Sequence, residues 1–262
     1  MRRAITLMGI LNVTPDSFYD GGQFEGVRRA GERAREMIVE GADIIDIGGE
    51  STGPGSSDVS LEEELRRVVP VIEAISDQRS AIRMSIDTYK AEVARQALKS
   101  GANMVNDVMA GRGDPEMFRV IAQAGCSYVM MRSKDNSPRT TKADTQYADV
   151  MKTIHAFFEE RLEEALKAGI KKEQIILDPG LGHFVSSDPK YSFEILERLE
   201  ELQDLGCPLL VSPSRKSFTA GPENFPPEKR LENTLIATKI AIAHGASIIR
   251  THDVRETREF MG

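Results

Sequence analysis

Asp87, Asn106 and Asp178 each stand where an apolar, strand-like run stops. Ile175-Ile176-Leu177 leads into Asp178 and is broken at once by Pro179 and Gly180; Ser85-Ile86 leads into Asp87, and Met104-Val105 into Asn106. Other strand-like runs finish at Asn12, Asp46 and Arg250. Any one of these polar groups could be a satisfied structural side chain, but three converging ones describe a site. Two carboxylates and one amide make a donor and acceptor set suited to a flat, nitrogen-rich ring with an amino-pyrimidine edge, because a carboxylate can accept two parallel N–H bonds. Positive charge gathers late in the chain, in Ser214-Arg215-Lys216-Ser217 and in Arg250-Thr251-His252-Asp253. Those groups suit an anion, and Arg250 could also lie flat on a ring. The glycine-rich stretch from Gly48 to Ser56 could bring backbone donors near a ligand, though no established phosphate-loop spacing accompanies it. His155 and His244 fall in helical stretches and read as surface or packing residues.

The elements that must carry these residues repeat. A glycine, a small residue and an apolar strand recur at Gly41, Gly101, Gly125, Gly206 and Gly245, with a looser form at Gly169. Each glycine can close a preceding helix, so the unit is helix, glycine, strand. Adding runs at 5–11 and 81–86 makes eight strands. Helical patterns lie between them at 27–40, 61–75, 91–100, 115–124, 148–168, 192–205 and 227–244, and Ser60 with Glu63 forms a capping-box signature. Nine residues follow Asp253, enough for a short last helix or one completed by a partner subunit. Regular alternation of this kind predicts parallel strands in a closed (β/α)8 TIM barrel, one domain over residues 1–262. In that fold the polar strand ends share one mouth, and the loops after strands seven and eight hold phosphate. The polar connections 133–147 and 219–230 are candidates for mobile loops over it.

Composition sets bounds. The 262 residues are 40% apolar and 29% charged, ordinary for a globular protein. A net charge of −7 argues against a nucleic-acid surface, so an anionic ligand must meet a local cluster of cations. No apolar run reaches the ~18–20 residues of a membrane span. The two cysteines sit beside apolar runs, which points to buried, reduced thiols and a cytoplasmic setting.

Seven motifs together resemble the dihydropteroate synthase family. They are Gly9-Ile10-Leu11-Asn12-Val13-Thr14-Pro15-Asp16-Ser17-Phe18, Asp46-Ile47-Gly48-Gly49-Glu50-Ser51-Thr52, Ser85-Ile86-Asp87-Thr88-Tyr89, Asn106-Asp107-Val108, Asp178-Pro179-Gly180, Ser214-Arg215-Lys216-Ser217 and Arg250-Thr251-His252-Asp253-Val254. The likeness runs nearly end to end and in order. It implies a TIM barrel that joins 6-hydroxymethyl-7,8-dihydropterin diphosphate to 4-aminobenzoate, with release of pyrophosphate, and that sulfonamides inhibit. By the resemblance, Asp87, Asn106, Asp178 and Lys216 hold the pterin and Arg250 stacks on it. Asn12 meets Mg²⁺ and the diphosphate, His252 and Arg250 bind the departing pyrophosphate, and Thr52, Pro54 and Ser214 line the aminobenzoate pocket. A homodimer is implied as well.

The chain departs from the family pattern at four places, as a divergent member would. Gly53 replaces the usual Arg of the second loop, His183-Phe184-Val185-Ser186 replaces a Gly-Phe-Gly-Lys run, Arg132 replaces a His ending strand five, and Ser212 replaces a Gly. Arg132 or His183 is then expected to supply the charge missing at Gly53. Two other readings stay open at this stage: a pterin-binding module similar to the methyltetrahydrofolate domains of methyltransferases, and a non-condensing homologue acting as a partner.

Overall fold

The computed structural model describes residues 5–14, 23–77 and 82–262. Eight parallel strands form one sheet: β1 (Thr6–Asn12), β2 (Ile44–Gly48), β3 (Arg83–Asp87), β4 (Met104–Asp107), β5 (Ser127–Met131), β6 (Ile175–Asp178), β7 (Leu210–Val211) and β8 (Ile248–Thr251). Consecutive strands pair from β1 to β6, and β1 also pairs with β8, which pairs with β7. The ring closes between β6 and β7 through a single bridge, Leu177 to Leu209, where Leu177 N donates to Pro208 O at 3.0 Å. This is the single-domain (β/α)8 barrel expected from the alternation.

A helix follows every strand: α1 (Gln23–Val39), α2 (Leu61–Ser76), α3 (Ala91–Lys99), α4 (Met117–Ala124), α5 (Val150–Lys167), α6 (Pro189–Glu197), α7 (Leu231–Ala243) and α8 (Val254–Met261). The repeat glycines do what their spacing suggests, with Gly125 closing α4 at φ 65° and Gly206 preceding β7 at φ 69°. Ser60 caps α2 by accepting from Glu63 N. Two expectations shift. The stretch 192–205 splits into α6 and a 3-10 turn (Leu199–Leu205), and α6 starts earlier because Asp188 caps it with Pro189 in the first turn. The pattern at 227–244 becomes a 3-10 turn (Pro227–Lys229) before α7.

Two apolar regions hold this shape. One packs the outer strand faces against the helices. The other plugs the barrel with Met8, Ile44, Met104, Val129, Ile176, Leu210 and Ile248, one from each strand except β3. Both cysteines are free thiols, with Cys207 buried and Cys126 half-buried. No helix among the described residues is long and apolar enough to cross a membrane.

Candidate active site

Side chains of a strand alternate between its faces, so the residue two beyond each plug residue lies on the same inner wall, one layer nearer the mouth. Stepping up from Ile44, Met104, Ile176 and Ile248 reaches Asp46, Asn106, Asp178 and Arg250. Asp87 takes the corresponding place on β3, two beyond Ser85. The apolar plug therefore carries a layer of polar and charged groups at its upper face.

Asp46 is the hub of that layer. Fully buried, it accepts from Asn106 Nδ2 (3.0 Å) and Arg250 Nε (2.6 Å) on the same oxygen, while its other oxygen has no partner among the described residues. Arg250 Nη2 donates to Asp87 Oδ2 at 2.6 Å. The guanidinium is thus a flat plate fixed between carboxylates from β2 and β3. Burial disfavours its charge, but Asp46 and Asp87 hold its pKa above the ordinary arginine value. Burial pushes Asp87 up to about 7, against the pull of Arg250. Sequence reasoning noted Asp46 at a strand-like end but left it out of the site; the step of two from Ile44 was the signal.

Asp178 and Lys216 form the opposite wall. Asp178 is 3% exposed and accepts from Gly180 N at 2.8 Å. Gly180 is at φ 71°, and a Cβ there would sit 2.4 Å from Arg132 O, so the turn that aims Asp178 requires glycine. Burial raises the Asp178 pKa, opposed chiefly by the charge of Lys216. Burial likewise brings Lys216 down to about 8, while Asp178 works to keep it protonated. The Lys216 ammonium stands 4.7 Å from the centre of the Phe184 ring.

Ser214 and His252 meet at the ends of the last two strands. Ser214 Oγ accepts from His252 N at 3.1 Å and lies 2.9 Å from His252 Nδ1. Burial, and then the charges of Arg250 and Arg215, bring the imidazole down to about 4, so it is neutral at pH 7. With Ser214 Oγ donating to Nδ1, the neutral ring would carry its proton on Nε2, a donor for an anion. Arg215 is turned away into an ion pair with buried Asp253, its Nε 3.0 Å from Oδ2. Asn12 is exposed at the end of β1, in register with Gly48 of β2. Residues 15–22 of the first loop lie outside the described residues.

Thr52 and Pro54 are half-buried in the loop after β2. Gly53 leaves room for a side chain, since a Cβ there would meet only Ser51 Oγ, at 3.5 Å. Of the two residues expected to supply the missing charge, one is engaged elsewhere and the other has its charge disfavoured. Arg132 is buried with Nη1 donating to Tyr147 OH (3.1 Å) and its guanidinium over the Tyr147 ring. His183 has its pKa lowered by burial and then by Lys142 and Lys134, which disfavours a charge there. Arg139, from the loop after β5, does reach the second loop, as Lys90 and Arg67 also do. Arg139 pairs with Glu50 and Asp58 and donates to Ser57 O at 2.8 Å. Neither periodicity nor local motif could reveal a contact spanning 89 positions between loops.

The family of pterin binding enzymes matches residues 8–252. The dihydropteroate synthase of Synechocystis is 46% identical over 249 residues, covering 95% of this chain and 85% of that protein. The crystal structure of the Clostridium difficile dihydropteroate synthase in the presence of pteroic acid superposes with a TM-score of 0.89 at 45% identity, over 99% of this chain and 94% of that one. The Yersinia pestis enzyme in complex with a sulfonamide drug gives 0.90 at 40% identity, over 99% and 92%. The departures at Gly53 and after Asp178-Pro179-Gly180 thus lie within extensive identity. By sequence and by fold, this chain belongs to the dihydropteroate synthases.

Proposed function

We propose that this chain condenses 6-hydroxymethyl-7,8-dihydropterin diphosphate with 4-aminobenzoate, giving 7,8-dihydropteroate and pyrophosphate. The observation that carries the reading is the layer above the barrel plug. There Asp178 and Lys216 on one side oppose Asp46, Asn106, Asp87 and Arg250 on the other. Asp178 accepts paired N–H bonds from the amino-pyrimidine edge, Asn106 and Lys216 hold the remaining ring heteroatoms, and Arg250 lies on the ring face.

In the reaction the C–O bond from the pterin methylene to the diphosphate breaks, and the aminobenzoate nitrogen forms a C–N bond to that carbon and sheds a proton. Cationic character grows on the methylene and the ring as the anion departs, and the carboxylates of Asp87 and Asp178 stabilise it. His252 donates to the departing anion through Nε2–H, beside the remaining edge of Arg250. The amine needs chiefly positioning, which Thr52, Pro54 and Ser214 provide at the rim.

Mg²⁺ belongs to the proposal. No cluster of three or more acidic, His or Cys side chains suited to a metal occurs among the described residues, and the exposed amide of Asn12 is the oxygen donor on hand. That fits an ion held mainly by substrate phosphates and water. When bound it neutralises diphosphate charge. A homodimer through the late helices belongs to the proposal on the family resemblance; α6, α7 and α8 carry exposed Phe193, Ile236 and Phe260, as α1 and α5 carry Val39 and Leu166. The free thiols support a reducing, cytoplasmic setting.

The test is purified protein with pterin diphosphate, labelled 4-aminobenzoate and Mg²⁺, following pyrophosphate and labelled product together. Stoichiometric release that EDTA stops and Mg²⁺ restores is the expected result. Pterin binding without product would leave only a pterin holder.

A further inference from the structure

The loop after β2 has little of its own to hold it. It contains Gly49, Gly53 and Gly55 within seven residues, and its internal side-chain bonds are few: Ser51 Oγ accepts from Gly53 N at 3.3 Å, Ser56 Oγ donates to Gly53 O at 2.8 Å, and Glu50 Oε1 accepts from Val59 N at 3.4 Å. Such a segment loses much conformational freedom when ordered. Yet it carries Thr52 and Pro54, the residues proposed to position the amine.

The base of the loop is held by Lys90 and Arg67, and the segment around Thr52 by the loop after β5. Arg139 pairs with Glu50 on one side of Thr52-Gly53-Pro54 and with Asp58 on the other, and donates to Ser57 O between them and the helix. Next to it, Thr140 N donates to Thr52 O at 3.1 Å. Thr140 is 2% exposed although it lies in a loop, and its hydroxyl is 2.7 Å from His183 O and 2.8 Å from Asp135 Oδ2. One dipeptide therefore joins the second loop to the turn that follows Asp178. Behind it, Lys90 anchors Glu50 from α3, donating also to Val59 O (2.8 Å) and Glu64 Oε2 (2.5 Å).

We infer that Arg139 and Thr140 are positioning residues for the amine substrate, a clamp from the fifth loop that holds Thr52-Gly53-Pro54 in place where the second loop lacks an arginine of its own. This rests on the synthase reading only for its kinetic consequence; the clamp itself is a property of the free protein. The rigid planar fork of a guanidinium holds two points of a loop in a fixed relation, with less freedom lost per bond than a flexible ammonium side chain loses. Misplacement of a positioned reactant by a fraction of a bond length is costly to the rate.

The experiment compares wild-type protein with Arg139→Ala, Arg139→Lys and Thr140→Val by hydrogen–deuterium exchange without substrate and by steady-state kinetics. Faster exchange across 51–58 is expected in Arg139→Ala and Thr140→Val, with residues 175–178 unchanged and Arg139→Lys intermediate. KM for 4-aminobenzoate should rise about tenfold in Arg139→Ala, while the dissociation constant for pterin diphosphate stays within about twofold. Unchanged exchange at 51–58 overturns the clamp whether or not the protein is active. Equal weakening of both substrates, with exchange rising in the barrel strands, overturns it in favour of a general stabilising role. Absence of product from wild-type protein overturns the synthase reading, and the exchange result then decides the clamp alone.

Discussion

The floor and the rim of the mouth are built differently. Floor residues other than Lys216 sit on strands, and Asp46 joins β2, β4 and β8 with bonds of 2.6 and 3.0 Å. Their directions follow from the two-residue period of the wall, and their charges satisfy one another before any ligand arrives. The rim is made of loops, where Thr52 and Pro54 keep their places through contacts with residues distant in sequence, such as Arg139 and Thr140. A preorganised floor suits a charge-separating step, whose stabilising groups must already be in place. A loop-built rim suits capture of a second substrate that needs only orientation.

That contrast can be broken most sharply at Asp178. Asp178→Asn keeps the shape and removes the charge, and should lower kcat/KM about 10²–10³-fold with little change in thermal stability. Steady-state kinetics beside a melting curve check this, and a loss below tenfold would show that the floor does not act electrostatically.

Asp46→Ala removes the hub and leaves Arg250 buried with one carboxylate. Unfolding free energy should fall by about 3 kcal/mol, as when one partner of a buried pair is removed. Ser51→Ala on the exposed rim should stay within about 0.5 kcal/mol. Urea denaturation of both variants compares the two regions directly, and equal losses would erase the distinction.

The floor should also impose a pH profile. Asp87, raised to about 7, must be ionised to balance Arg250 and the developing cation, so kcat/KM for the pterin diphosphate falls as pH drops below about 7. Lys216, lowered to about 8, must be protonated to donate, so it falls again above about 8. Far from each limit the slope is about tenfold per pH unit. Lys216→Arg should remove the alkaline limb, and a flat wild-type profile would remove Asp87 and Lys216 from these roles.

The smallest effect is expected at Gly53. The open space around its Cβ lets Gly53→Arg fold without strain, and a solvated charge on the loop rim should change the pyrophosphate affinity less than about threefold. Calorimetry measures it. A gain of a hundredfold would mean that the rim does lack a cation.

The same division explains what the sequence disclosed. Floor positions were legible because an apolar strand ending in a polar residue is a local pattern, and seven ordered motifs added a family resemblance. Asp46 also ends a strand-like run in the sequence, but its part in the site shows only in its buried bonds to Asn106 and Arg250 on two other strands. The rim was opaque. Arg132 and His183 were candidates by position in the chain, while Arg139 acts by a fold of the fifth loop that no spacing encodes. The connection 133–147, expected to be a mobile cover, is joined to its surroundings at Thr140, through Thr52 O and His183 O, and at Lys134 N, which donates to Phe184 O at 2.8 Å.

The barrel's closure has a further consequence. Asp178 and Lys216 are borne by β6 and by the loop after β7, the two strands joined by only one bridge. A ring gripped by both side chains is therefore a rivet across the weakest joint of the wall. Occupancy by the pterin should slow amide exchange at Leu177 far more than at Ile45 or Ile86, which are already locked in full ladders.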